Sequence, residues 1–82
     1  MKRVVRYIAE TEEFNSSLTI GKLYAVEDDE DIVDPEIEKE FGCITVWDDE
    51  GHLHEICKSN YELVEGVNWY SVRPKKRYIQ QY

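Results

Sequence analysis

The chain reads as mainly β: a small five-stranded barrel with one short helix and a C-terminal extension. Three observations predict this. Five short runs rich in Val, Ile, Leu, Tyr and Trp are separated by turns bearing Gly, Asn or Asp. Only one segment carries both a helix start and a helix stop signal. The length of 82 residues, 41% of them hydrophobic, fits a single domain.

Residues 2–9, KRVVRYIA, read as the first strand, with Val5 and Tyr7 on one face and Val4 and Ile8 on the other. Residues 10–17 are polar and read as a loop. Gly21 marks a turn or bend before a second strand, Leu23 to Glu27. Five acids in a row, Glu27 to Asp31, repel one another and are expected to stay solvated. Asp34 then serves as a cap, Pro35 suits the first helical position, and Glu36 favours the positive end of the helix dipole. Gly42 stops the helix after about one and a half turns. Ile37 and Phe41, four apart, share the face that meets the core. Residues 43–48, CITVWD, form the third strand, Asp49-Glu50-Gly51 a hairpin turn, and residues 52–57, HLHEIC, the fourth strand. Ser59-Asn60-Tyr61 turns the chain into a short fifth strand, Glu62-Leu63-Val64.

Residues 66–82 differ in composition: they hold no acid, four bases, and Trp69, Tyr70, Tyr78 and Tyr82. Five strands already suffice for a small barrel, so this segment reads as an extension. Left bare, its rings would form a sticky patch. It is therefore expected to pack on the barrel or on a second copy of the chain. The organisation is a barrel over 1–65 with an acidic insertion at 27–40, followed by the 66–82 extension.

Leu18-Thr19-Ile20-Gly21-Lys22-Leu23-Tyr24-Ala25-Val26 resembles an LTxGKxYxV segment found in small phage and prophage proteins of Gram-positive bacteria. Val46-Trp47-Asp48-Asp49-Glu50-Gly51 and Tyr61-Glu62-Leu63-Val64 resemble the Asp-Asp-x-Gly strand end and the closing motif of those proteins, in the same order. The resemblance covers residues 4–65 and implies an SH3-like barrel. It implies nothing specific about activity, because one small barrel hosts many functions. The acidic insertion and the 66–82 segment depart from the pattern, which makes them the first places to look for function.

Charge is unevenly distributed. The formal net charge is −8, but residues 10–65 carry −15, while the two ends carry +3 and +4. A solvated acidic surface keeps a small protein soluble. The sharper reading is an acidic face that docks on a basic, phosphate-binding groove of another protein. Asp28, Asp29, Glu30, Asp31, Asp34, Glu36, Glu38 and Glu40 would supply most of that face, extended by Asp48, Asp49 and Glu50 at the hairpin tip. Trp69, Tyr70, Arg73, Lys75, Lys76, Arg77 and Tyr78 are the candidates for oligomer or ligand contact. The bases can pair with the acidic loop, of the same chain or of a neighbour. They can instead hold phosphates while a ring stacks on a base; Tyr24, Trp47 and Trp69 would then line a nucleotide pocket with them.

Several chemistries are disfavoured. Cys43, His52, His54 and Cys57 suggest zinc, but side chains alternate along a strand. His52 and His54 share one face, and Cys57 points to the other. With three turn residues Cys43 sits opposite Cys57, away from both histidines. The cysteines are expected to be small, at least half-buried free thiols and the histidines to face solvent, with no metal or other cofactor. The four glycines are dispersed and form no phosphate cradle, and no Ser–His or Cys–His pair has a catalytic local signature. No apolar run approaches the ~18 residues of a membrane span. The basic start, Met1-Lys2-Arg3, lacks the apolar run of a signal peptide, so the expected location is cytoplasmic, within a host cell if phage-encoded. A net −8 opposes general affinity for nucleic acid. The expectation is a non-enzymatic binding protein. In its most specific form it is a phage inhibitor of a host defence protein, such as a nuclease, working by acidic mimicry. The alternatives are an oligomeric nucleotide-binding or sequestering protein and a structural homodimer without a ligand.

Overall fold

A computed structural model describes residues 2–11 and 17–79. The loop residues 12–16, with Asn15-Ser16 of an apparent glycosylation sequon, and Tyr82 of the aromatic set lie outside the described residues. The domain is mostly strand: β1 (Val4–Tyr7), β2 (Leu23–Ala25), β3 (Ile44–Trp47), β4 (Leu53–Ile56) and β5 (Tyr61–Val64). A helix, α1 (Pro35–Phe41), precedes β3, a 3-10 turn (Lys58–Asn60) precedes β5, and a helical turn, α2 (Trp69–Val72), follows it. None of these helices is long and apolar enough to cross a membrane.

The strands form two antiparallel sheets, ordered β2-β1-β5 and β3-β4. Val5 pairs with Tyr24 on one side and Leu63 on the other, which fixes the register of the larger sheet. The sheets meet at one antiparallel bridge, Val26 to Val46, where the Glu27 N–H also donates to the Thr45 carbonyl at 2.9 Å. The acidic insertion leaves β2 immediately after this point, so the pairing of β2 with β3 cannot extend into a long ladder.

Both faces of β1 are buried, and this explains the placement of residues 67–72. Val5 and Tyr7 enter one core cluster with Tyr24, Val26, Ile44, Val46 and Ile56. Val4 enters a second with Ala25, Trp47 and Trp69, flanked by Leu23, Leu53, Val67 and Val72. The extension therefore covers the outer face of the sheet, with Trp69 only 4% exposed. The Trp69 indole N–H donates to the Val26 carbonyl at 2.8 Å. The helical turn that places Trp69 is not apparent in the composition of the segment. Its signal is Asn68, whose side chain accepts from the Tyr70 N–H as an N-cap, with Pro74 two residues after the turn.

Helix α1 has the expected caps: Asp34 accepts from the Glu36 N–H at 3.0 Å, and Gly42 adopts φ +69°. Its seven residues make about two turns. The expected core-facing pair is only half realised. Ile37 is half-buried, but Phe41 is 70% exposed and no residue of α1 is buried. Concavities of about 320 and 290 Å³ lie beside the helix, and Ile37 lines both. Ile8, assigned to the strand with Val4, lies just beyond β1 and is 40% exposed.

Candidate functional site

The insertion is tied together by its own backbone and by Arg3. The Ile32 and Val33 N–H groups both donate to the Asp29 carbonyl at 2.9 Å, and the Asp31 N–H donates to the Asp29 carboxylate at 2.9 Å. Arg3, from the chain start, reaches across to Asp28 at 2.5 Å and to both Glu38 oxygens at 2.8 and 3.0 Å. These hydrogen bonds, first to Glu38 and then to Asp28, raise the guanidinium pKa further. In return Arg3 holds the Glu38 carboxyl below its ordinary value.

The eleven candidate acids fall into three groups. Asp28 and Glu38 are committed to Arg3. At the hairpin, Asp49 is held by Lys22 at 2.5 Å, Thr19 at 2.8 Å and Tyr24 at 3.0 Å. Burial pushes the Asp49 pKa up, but bonds from Lys22, Thr19 and Tyr24 outweigh it and the net shift is down. Asp48 is 5% exposed; its carboxylate accepts from the Glu50 and His52 N–H groups at 2.9 Å, closing the turn, and lies 3.6 Å from His54. Neither hairpin aspartate is therefore free to extend an acidic face. The third group, Asp29, Glu30, Asp31, Asp34, Glu36, Glu40 and Glu50, is exposed. Among the described residues its ion pairs are Glu36 with Lys39 at 3.6 Å and Glu50 with His52 at 3.7 Å, the latter ionic only when His52 is protonated.

Glu27 departs from the expectation of a solvated five-acid block. It is 8% exposed and accepts from the Trp47 indole N–H at 3.0 Å and the Asp29 N–H at 3.2 Å. The alternation of β2 carries the signal that a charge-run reading overrides. Leu23, Ala25 and Glu27 share a face, the one that packs against Trp47 and Trp69.

Beside Glu27 lies a concavity of about 350 Å³, lined by Lys2, Trp47, Trp69, Tyr70, Arg73 and Arg77 among others. Its bases stack on rings. Lys2 Nζ sits 4.3 Å from the Trp69 ring centre, Arg73 lies 5.5 and 5.0 Å from Trp69 and Tyr70, and Arg77 lies 5.9 Å from Trp47. Asp29 and Arg73 line the same hollow. The contacts of Arg73 and Arg77 with described residues are ring contacts, not ion pairs with the acidic loop. The two indoles are largely covered, and Tyr70, 59% exposed, offers the accessible ring.

Not every candidate joins this basin. Lys75 and Lys76 are exposed outside it, and Tyr78 packs 5.1 Å from the His52 ring, with its N–H donating to the Gly51 carbonyl at 2.7 Å. Tyr24, a proposed pocket wall, lies in the core and makes an edge contact with Tyr7. Sequence reasoning did not place Lys2 or Glu27 at the basin. Cys43 is half-buried and Cys57 exposed, so burial of both thiols is corrected; their sulfurs face each other at 3.5 Å. Among the described residues no group of three metal-ligating side chains converges. Comparison with family models, curated proteins and solved structures finds no match to this chain.

Proposed function

We propose that this is a non-enzymatic binding protein, an SH3-like barrel of the phage or prophage kind its sequence resembles. It blocks a basic, nucleic-acid-binding site of a host protein with the acidic surface of the 29–40 segment. The observation that carries this reading is the state of the exposed acids. Asp29, Glu30, Asp31, Asp34, Glu36 and Glu40 sit on a loop and helix held by caps and by Arg3, and Lys39 is their sole ion-pair partner among the described residues. Lys2, Arg73 and Arg77 stack on aromatic rings instead of neutralising them. A preorganised anionic surface gives fast, salt-sensitive association with a basic cleft. The strand order, with a 3-10 turn ahead of β5, supports the SH3-like assignment.

The test uses acids whose side chains have no described partner. Reversal of Glu30, Asp31 and Glu40 to lysine leaves the fold intact and abolishes salt-sensitive capture of a host protein. Capture by the reversed protein equal to wild type contradicts mimicry.

The basin at Trp69 favours a second reading, a binder of small phosphorylated aromatic ligands such as nucleotides. Three cations, Lys2, Arg73 and Arg77, line it with only Glu27 and Asp29 as anions, and Tyr70 leaves a ring open for stacking. A thermal-shift screen with mono-, di- and cyclic nucleotides decides it: a clear rise supports this reading and a flat screen removes it.

A further inference from the structure

We infer that Cys43 and Cys57 form a reversible thiol–disulfide exchange site, which small disulfides close into a cross-strand bond. The β3–β4 register pairs Ile44 with Ile56, and one further step places Cys43 opposite Cys57. The sulfurs are 3.5 Å apart, so closure requires only a small side-chain movement. The parity of the ladder suits it. The Thr45 carbonyl accepts from Glu27, on the side away from β4, so Thr45 and Glu55 are a non-hydrogen-bonded pair. Positions two residues along repeat that parity, which assigns the cysteines to the same class. Such pairs bring Cα atoms to about 4.5 Å, inside the roughly 4.4–6.8 Å range that a disulfide spans.

Access is also present. Cys57 is exposed and lies at the start of the 3-10 turn, while Cys43 is half-buried immediately after the Gly42 cap of α1. The hydrogen bond to Cys57 raises the Cys43 thiol pKa, with burial adding to the effect. The more exposed Cys57 therefore attacks first. Its thiolate displaces one thiolate from a small disulfide such as oxidised glutathione, leaving a mixed disulfide on Cys57. Cys43, deprotonated, then attacks the Cys57 sulfur and expels the second thiolate. Two protein thiols are oxidised, one small disulfide is reduced to two thiols, and the two protons pass to solvent or to the leaving thiolates. The bond ties the exit of α1 to the turn before β5 and closes the 43–57 hairpin.

The test equilibrates reduced protein with oxidised glutathione, quenches with acid and measures intact mass. Wild type becomes a monomer lighter by two hydrogens, and dithiothreitol restores the original mass. Cys43→Ser instead retains one glutathione on Cys57. The thermal midpoint of the closed form rises by roughly 12–24 °C, as expected for constraining a loop of this length. Wild type that stays reduced, retains glutathione or forms disulfide-linked dimers overturns the proposal. A lowered midpoint in the closed form overturns it equally.

Discussion

The Trp69 indole N–H and the Val26 carbonyl are joined at 2.8 Å across 43 positions of sequence. Val26 is also the residue at which the two sheets bridge. The extension thus holds a polar group at the seam of the fold that would otherwise be buried and unpaired.

Trp69→Phe keeps an aromatic ring but orphans that carbonyl, for an expected loss of about 1–3 kcal/mol. Trp69→Ala also opens a cavity and is expected to cost about 3–5 kcal/mol. A core of this size supplies only about 3–5 kcal/mol of net stability, so Trp69→Ala leaves the domain largely unfolded. Urea denaturation followed by circular dichroism checks both.

Gly51 and Gly66 separate backbone strain from close approach. Both have positive φ, +82° and +78°. A Cβ at Gly66 meets open space, whereas one at Gly51 collides with the Lys76 carbonyl oxygen. Gly66→Ala is expected to cost about 1–2 kcal/mol from conformation alone. Gly51→Ala should cost more and push the 76–78 segment away. Hydrogen exchange at the Tyr78 amide, which donates to the Gly51 carbonyl, should accelerate only in Gly51→Ala.

The depressed carboxyls of Glu38 and Asp49 make stability depend on acid. A group whose folded pKa lies below its unfolded value stabilises the fold above that unfolded value and loses the contribution as pH falls through the folded one. The thermal midpoint should therefore fall as pH drops below about 4, where these carboxyls take up protons. Asp49→Asn should be less stable at pH 7 and show a shallower decline in acid. Differential scanning calorimetry from pH 7 to 3 reads both.

The local elements were legible because short-range chemistry specifies them. Asp34, Pro35 and Gly42 bound α1; the sequence left the β3–β4 register open, and the fold adopts the three-residue turn before His52 that brings the cysteines face to face. The aromatic character of the extension was also visible, but the helical turn that places Trp69 depends on the Asn68 cap and on a sheet face needing cover. Glu27 was misread because a run of five acids suggests solvent, whereas its burial follows from β2 alternation and the Trp47 indole. Phe41 was misread because helical spacing says which residues share a face, not whether a surface lies beneath them. The hairpin acids illustrate the same limit: Asp48 and Asp49 count as charge in sequence but serve the turn in the fold.

The most direct measurement of the central claim is displacement of a captured partner by DNA. Immobilised protein is exposed to bacterial host lysate at low salt, washed, and eluted with duplex DNA. The predicted result is a basic protein released by DNA and by high salt, and not captured when Glu30, Asp31 and Glu40 are replaced by lysine. A captured protein that resists DNA and salt, or equal capture by the reversed variant, would contradict the acidic-face account.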